Sequence, residues 1–405
     1  MKNSLVLVLF FILTNNLFSQ TAEDFFNSGI EKYEADDFKG ALVDFNKSIS
    51  LNPKDVDSYV YLGMSKAGSE DFKGSILSYD KAISIDPSNS GAYYNRAQSK
   101  YELEDFKGSL IDINKYNTLE VDDADAYFFL GLIHDALSDY KSSLVAYEKV
   151  IVINPLYVDI YFNRGLAKQN LMDLKGALID YNKALSIDAN SSGTIYNRAQ
   201  VKYDLEDYRG SLVDLKKYIT LEVDDVDAYF LIGQVNDALL DFTNSLLAYN
   251  KVVFLNSSYE DIYFFRGLAK QNLNDLKGAI EDYTKASVAK PTETDPIYNR
   301  AICKYDLKDT KGALADYNSA ILINPNDGSY YANRGVVKSD LLDFDGAMAD
   351  YTKAIQLDPK NSANYFNRGL LHVELKKNDA ACIDFKKALE LGETDAQQSI
   401  NENCK

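Results

Sequence analysis

Cysteine, histidine and proline are all scarce in this chain of 405 residues. Three cysteines are too few and too scattered for a disulfide framework or a zinc site, although Cys382 and Cys404 could pair in an oxidising compartment, leaving Cys303 over. The two histidines, His134 and His372, lie far apart and without a ligand cluster, so we predict no metal site. Seven prolines and 21 glycines leave little room for flexible linkers.

Basic residues are also few relative to acidic ones. The chain has 43 lysines and arginines against 61 aspartates and glutamates, for a net charge of −18. This charge repels nucleic-acid phosphates and anionic lipid head groups, and it favours a basic or polar partner. A hydrophobic content of 46% nevertheless indicates a folded chain.

Long apolar runs are missing except at the N-terminus. Lys2 precedes the apolar stretch Leu5–Leu13, which is shorter than the ~20 residues of a membrane-spanning helix. We therefore predict a cleaved signal peptide over residues 1–20, with an uncleaved anchor as the alternative. The composition is typical of bacterial envelope proteins of the Bacteroidetes type, so we expect a periplasmic or secreted protein that inserts into no membrane after cleavage.

A 34-residue pattern repeats without insertion from Ala22. It gives eleven units over residues 22–395 and leaves a polar tail, 396–405, as a C-terminal cap. In the unit Gly328–Asn361, position 8 is Gly335, position 20 is Ala347 and position 24 is Tyr351. Position 8 is glycine or alanine throughout, position 20 alanine or serine, and position 24 usually aromatic. Small residues at positions 8 and 20 let two short helices approach closely, with the aromatic side chain beside them.

Each unit also carries helix-boundary signals. Position 16 is aspartate in ten units, where its carboxylate can cap the second helix. Prolines such as Pro325 and Pro359 end that helix. This spacing resembles the tetratricopeptide repeat (TPR) family over the whole chain after the signal peptide. The resemblance implies an all-α fold, an α-solenoid in which antiparallel helix pairs form a right-handed superhelix with an inner groove.

A longer period of 102 residues overlies the shorter one. Asn95–Gln98 returns as Asn197–Gln200, and Gly165–Asn170 returns as Gly267–Asn272. Units three to five and six to eight are therefore interpreted as copies of one block, so equivalent surfaces should recur.

Position 7 carries arginine in seven units, and all seven have aspartate at position 23. Three of the four units without the arginine also lack the aspartate, which favours a structural pair inside each unit over an anion site. The predicted pairs are Arg96 with Asp112, Arg164 with Asp180, Arg198 with Asp214, Arg266 with Asp282, Arg300 with Asp316, Arg334 with Asp350 and Arg368 with Asp384.

The resembled family lines its inner groove chiefly with positions 2, 5, 9, 12 and 13. Here that implies an aromatic, acidic and amide-rich surface suited to a basic or polar peptide. The candidate groove residues are Phe128, Phe162, Tyr196, Phe230 and Phe264 at position 5, Asp125, Asp159, Asp227 and Asp261 at position 2, and Tyr101, Tyr203 and Tyr305 at position 12. In the alternative interpretation, the position 5 rings pack against the neighbouring unit and expose only their edges.

No catalytic signature occurs in the sequence. We find no nucleophile elbow, phosphate loop, zinc-protease helix or cysteine–histidine pairing, and we predict neither enzyme activity nor a cofactor. The expected function is an exported TPR scaffold that binds a protein or peptide through its concave groove. Two alternatives remain open: a polysaccharide- or ligand-binding module of the envelope, and a self-assembling structural element.

Overall fold

The structure is a computed structural model that describes residues 20–157 and 159–404. Over these ranges the chain forms twenty-three α-helices and no β-strand, which confirms the predicted all-α fold. The predicted signal peptide, residues 1–20, lies outside the described residues except for Gln20. None of the described helices is both long enough and apolar enough to cross a membrane.

The helices follow each other in pairs. The first twelve are α1 (Ala22–Glu34), α2 (Phe38–Leu51), α3 (Val56–Gly68), α4 (Phe72–Ile85), α5 (Ser90–Glu102), α6 (Phe106–Leu119), α7 (Ala124–Ala136), α8 (Tyr140–Ile153), α9 (Ile160–Asn170), α10 (Leu174–Ile187), α11 (Ser192–Asp204) and α12 (Tyr208–Leu221). The others are α13 (Val226–Ala238), α14 (Phe242–Leu255), α15 (Ile262–Asn272), α16 (Leu276–Ala289), α17 (Asp295–Asp306), α18 (Thr310–Ile323), α19 (Gly328–Asp340), α20 (Phe344–Leu357), α21 (Ser362–Glu374), α22 (Asn378–Glu390) and α23 (Ala396–Asn403). Pair one is α1 with α2, and the count runs to pair eleven, α21 with α22.

A three-residue turn joins the two helices of each pair. In pair ten, Leu342 adopts a left-handed backbone with φ of 64°, and Asp343 then accepts a hydrogen bond of 3.0 Å from the backbone N–H of Gly346. The same cap forms at position 16 in the other nine pairs that have aspartate there, which confirms the predicted capping role. The cap satisfies an N–H group that the helix leaves without a partner.

Close packing inside a pair depends on position 8. A Cβ atom on Gly233 would lie 2.2 Å from Cε1 of Tyr249, so only glycine leaves room for that ring. In pair three the small residue is Ala97, and the facing residue at position 24 is the shorter Ile113. Both are fully buried. In pair three the two positions thus compensate each other in volume, as a close-packed interior requires, whereas pair nine buries both Ala301 and Tyr317.

Consecutive helices pack against each other from α1 to α10 and again from α12 to α23. The chain divides into two compact units, one ending at Thr194 and one starting at Ile195. Each unit buries its own clusters of alanines, tyrosines and aliphatic residues, as around Tyr147 and Ile160 in the first and around Val235 and Leu215 in the second.

The C-terminal tail forms α23, which packs on α22. Ala396 is fully buried there, and Ile400 packs against the same cluster. A disulfide bond joins Cys382 of α22 to Cys404, with Cα atoms 5.6 Å apart. The tail therefore covers the apolar face of the last pair.

Candidate functional site

A cavity of about 500 Å³ opens between the first helices of pairs two, three and four. Residues at positions 9, 12 and 13, where the resembled family lines its groove, contribute most of its walls. They are Met64, Ala67 and Gly68 on α3, Gln98, Tyr101 and Glu102 on α5, Leu132 on α7 and Tyr33 on α1. The cavity lies wholly within the first compact unit.

The cavity has aromatic walls and a polar rim. The ring of Tyr101 packs edge-on against Phe106 and Phe129, with centroids 5.1 and 5.4 Å away. Burial, and then the charges of Glu102 and Asp135, raise the pKa of Tyr101. Its hydroxyl thus stays protonated as a donor near neutral pH. With the exposed Gln98 and Glu102 beside it, the cavity offers stacking surface, hydrogen bonds and a negative charge.

The position 5 aromatics lie in ring clusters and not in this cavity. Phe128 is half-buried, with its centroid 5.0 Å from that of Tyr157 and 6.0 Å from that of Tyr147. Phe230 makes the equivalent contacts with Tyr259 at 5.0 Å and Tyr249 at 5.8 Å. Phe162, Tyr196 and Phe264 pack in the same way on Tyr181, Tyr218 and Tyr283. Since all five are half-buried, they present only part of each ring to solvent.

Three of the four position 2 aspartates have partners. Asp125 accepts a hydrogen bond of 2.8 Å from the hydroxyl of Tyr157, and Asp227 accepts one of 2.7 Å from Tyr259. Asp261 forms an ion pair of 2.8 Å with Lys290. Asp159 is exposed and makes no side-chain capping bond at the start of α9. These carboxylates therefore serve local structure at least as much as a ligand surface.

A second cavity, of about 410 Å³, lies in the second compact unit beside α15 and α16. Asp261 and Phe264 are among its lining residues. Lys290 also lines this cavity, and its ammonium group forms ion pairs with the carboxylates of Glu260, at 2.9 Å, and Asp261. Those hydrogen bonds raise the pKa of Lys290, so the ammonium remains charged.

The two other candidate tyrosines lie in separate local contacts. Tyr203 packs against Tyr208 with centroids 5.5 Å apart. The hydroxyl of Tyr305 donates a hydrogen bond of 2.6 Å to Asp340 in the next pair. Tyr101, Asp261 and Phe264 are thus the candidate groove residues that line a described cavity.

Each of the seven arginines contacts the aspartate sixteen residues later. Nε donates to one carboxylate oxygen at 2.8–2.9 Å and Nη2 to the other at 2.6–2.8 Å, while the aspartates are only 1–5% exposed. This two-pronged geometry matches the planar guanidinium to the carboxylate. The arginines lie on the first helix of a pair and the aspartates on the second, so the network joins the two helices.

Sequence reasoning missed two further partners of this network. The position 11 lysine adds an ion pair of 2.7–2.8 Å to the same aspartate, at Lys100, Lys168, Lys202, Lys270, Lys304 and Lys338. In addition, Nη1 of Arg334 donates to Asn318 of the preceding pair at 2.8 Å, and Nη1 of Arg266 to Asn250 at 3.1 Å. Positions 7 and 11 are four residues apart and therefore lie on the same face of the first helix. This spacing could have predicted that the lysine reaches the same aspartate as the arginine.

The two histidines lie beside aspartates, and the free cysteine lies in the core. His372 Nε2 lies 3.8 Å from Asp384, and burial lowers the pKa of this imidazole. His134 Nδ1 lies 3.6 Å from Asp139. Cys303 is fully buried. Among the described residues, no group of histidine, cysteine and carboxylate side chains is arranged to hold a metal ion.

The fold and the repeated internal packing define a helical repeat protein. Five segments match the family model of the tetratricopeptide repeat: residues 124–155, 158–191, 260–292, 328–361 and 362–394. These five segments are therefore tetratricopeptide repeats, in agreement with the resemblance drawn from the sequence.

Solved structures include similar chains. MamA is 25% identical over 42% of this chain and 93% of MamA, with a TM-score of 0.40. YrrB, described as a TPR protein with an unusual peptide-binding site, is 22% identical over 45% of this chain and 95% of its own, with a TM-score of 0.42. A tetratricopeptide repeat protein from Parabacteroides merdae is 18% identical over 62% of this chain and 99% of its own, with a TM-score of 0.46. No curated protein matches the chain.

Proposed function

We propose that the chain is an exported scaffold that binds a protein or peptide through the cavity between pairs two and four, without catalysing a reaction. One observation carries the proposal: an open cavity with aromatic walls is lined on one side by three residues of α5, namely Gln98, Tyr101 and Glu102. Aromatic walls contribute contact area at low entropic cost, and a carboxylate on the rim selects a cationic group. An extended segment with basic or polar side chains has the matching chemistry.

Two features support export. The N-terminal sequence has the pattern of a cleaved signal peptide. The Cys382–Cys404 bond is of a kind that forms and persists in oxidising compartments. The proposed location is therefore the bacterial periplasm or the cell exterior.

The test is crosslinking capture from native envelope material, combined with a peptide array and a glycan array. We expect the doubly substituted chain Gln98→Ala/Glu102→Lys to lose captured protein and array peptides with basic residues. Glu374→Lys is the control for the charge change. It replaces the glutamate at position 13 of pair eleven, outside both cavities, as Glu102→Lys does in pair three. Capture that is unchanged by the double substitution would reject this cavity as the binding site.

The alternative of a polysaccharide-binding module shares the aromatic and carboxylate chemistry. Glycan-array binding that depends on Tyr101, without peptide binding, would favour it. The self-assembly alternative has less support, because α23 covers the face on which another chain would stack beyond pair eleven. Light scattering over a range of concentrations tests it, and a strict monomer would exclude it.

A further inference from the structure

Pairs four and seven differ from the seven arginine-bearing pairs in the same three places. Position 7 is Leu130 or Ile232 where those pairs have arginine, and position 23 is Ala146 or Ala248 where they have aspartate. At position 11, where six of those seven pairs have lysine, pair four has His134 and pair seven has Asn236. The whole network between the two helices is therefore replaced by shorter or apolar side chains.

A hollow occupies the place of the missing network in each of these pairs. In pair four it measures about 450 Å³ and is lined by Leu130, His134, Ala146 and Tyr127. In pair seven it measures about 320 Å³ and is lined by the residues 102 positions later, Ile232, Asn236, Ala248 and Tyr229. One hollow lies in each compact unit, and neither shares a residue with the cavities described above. Because the same walls occur twice, the hollow is a feature of the duplicated block.

Two lysines line each hollow beside its apolar residues. At the first hollow they are Lys141 and Lys149 of pair four. At the second they are Lys216 of pair six and Lys251 of pair seven, and the carboxylate of Asp241 also lies at this hollow. An aliphatic side chain at position 22 completes the wall, and both Val145 and Leu247 are 62% exposed. Lys251 also contacts Asp224 at 3.0 Å, whereas Lys149 makes no ion pair with another described residue. A strongly acidic chain thus presents a basic, apolar surface here.

Neighbouring second helices extend this surface. Positions 18, 22 and 26 are four residues apart and share one helix face. In pairs one to five they carry lysine, an exposed aliphatic residue and lysine: Lys39, Val43 and Lys47; Lys73, Leu77 and Lys81; Lys107, Ile111 and Lys115; Lys141, Val145 and Lys149; and Lys175, Ile179 and Lys183. From pair eight to pair ten the bulky aliphatic side chain is lost, since position 22 is Glu281, Ala315 and Ala349. The pattern therefore belongs to part of the array and is not required by the repeat fold.

We propose that pairs four and seven each carry a docking pocket for an acidic protein segment, which inserts a bulky apolar side chain between Leu130 and Val145, or between Ile232 and Leu247. The lysines pair with carboxylates on either side of the inserted residue. Charge complementarity supports this occupant, because basic groups surround an apolar floor. A shaped hollow also favours an inserted side chain over a flat lipid surface. This site is independent of the groove proposed above.

The test measures fluorescence anisotropy of a labelled synthetic peptide in which glutamate alternates with leucine, titrated with the full chain. We expect two peptides to bind each chain, with an affinity that falls as salt is raised. Leu130→Arg/His134→Lys/Ala146→Asp rebuilds in pair four the network that the seven other pairs hold, and it fills the hollow. We expect this variant to bind one peptide, and we expect a chain that also carries Ile232→Arg/Asn236→Lys/Ala248→Asp to bind none.

Circular dichroism verifies that the rebuilt chains remain helical. Lys141→Glu/Lys149→Glu should weaken binding to pair four by about tenfold or more, while the matched pair Lys277→Glu/Lys285→Glu, beside Glu281, should leave it unchanged. Glu102→Lys in the groove cavity should also leave it unchanged, which separates this test from that of the proposed function. Three outcomes would overturn the proposal: unchanged binding in folded, rebuilt chains, equal binding of a polyglutamate peptide without leucine, and binding to phosphatidylglycerol vesicles without any to the peptide.

Discussion

Arg334 holds Asp350 through two parallel hydrogen bonds, of 2.8 Å from Nε and 2.7 Å from Nη2. The carboxylate is only 4% exposed, and Lys338 completes its surroundings at 2.8 Å. A buried carboxylate without such partners would be strongly destabilising, because neither water nor protein would compensate its charge. The arginine and the aspartate are therefore expected to appear and disappear together, as they do in pairs four and seven. Pair one is the exception, since the buried Asp44 has Lys32 and Ser28 as partners in place of an arginine.

Arg334→Leu should destabilise pair ten by about 3 kcal/mol, because Asp350 keeps only Lys338 as a charged partner. Arg334→Leu/Asp350→Ala, which reproduces positions 7 and 23 of pair four, should recover part of that loss. Hydrogen exchange of α19 and α20 measures the effect locally, as stability in repeat arrays is largely a nearest-neighbour property. If the losses of Arg334→Leu alone and Asp350→Ala alone add up to the loss of the double variant, the two residues are not coupled.

Gly131→Ala should destabilise pair four by roughly 1–3 kcal/mol, as overpacking of a dense core does. The added Cβ atom would lie 2.1 Å from Cε1 of Tyr147, so this fully buried ring or its helix would have to shift. Gly91→Ala is the control, since its nearest neighbour would be Oδ1 of Asn89 at 3.6 Å. Urea denaturation should show this control to be neutral or slightly more stable, and equal losses in both variants would contradict the packing argument.

Asp237→Asn should stabilise the chain near neutral pH. Burial raises the pKa of Asp237 above its ordinary 3.8, although Ser245 and Tyr249 donate hydrogen bonds to it. A raised folded-state pKa means that the folded chain binds the proton more tightly, so stability increases as the pH falls through that pKa. Asparagine keeps an acceptor for Tyr249, as Gln271 does for Tyr283 at 2.6 Å.

The stability difference between Asp237→Asn and the parent chain should therefore shrink as the pH is lowered from about 7 to about 4. Thermal melts across this range measure it. Gln271→Asn is a suitable control, because it removes no charge and its effect should not depend on pH in this window. A difference that grows on acidification would show that Asp237 is ionised at little cost in the folded chain.

Reduction of the Cys382–Cys404 bond should loosen α23 and leave the other pairs folded. The bond closes a loop with a sequence separation of 22 residues, for which chain entropy predicts a loss of about 3 kcal/mol. Hydrogen exchange with and without reductant should place the change in α22 and α23. Faster exchange throughout the array would contradict a local role.

Cys303 provides an internal reference in the same experiment. Burial, and then the charge of Asp306, raise the pKa of this thiol to about 11. The thiolate, which is the reactive form, is therefore rare at neutral pH. After mild reduction, iodoacetamide should modify Cys382 and Cys404 but not Cys303, as peptide mass spectrometry would show.

The 34-residue period by itself determined the helix pairs of this protein. The signals are local: the capping aspartate at position 16, the small residue at position 8 and the prolines after the second helix act within one pair or its turn. The arginine and aspartate of each pair could also be matched from sequence, because they change together between units of equal length.

Tertiary structure decided which of these positions line a cavity. Phe128 and Tyr101 are both aromatic residues at candidate groove positions, yet Phe128 packs in a ring cluster while Tyr101 lines a cavity. The difference depends on side chains from adjacent pairs, which no single repeat contains. The hollows of pairs four and seven likewise arise from the absence of three side chains at once, and only packing in space shows that this absence leaves room for another molecule.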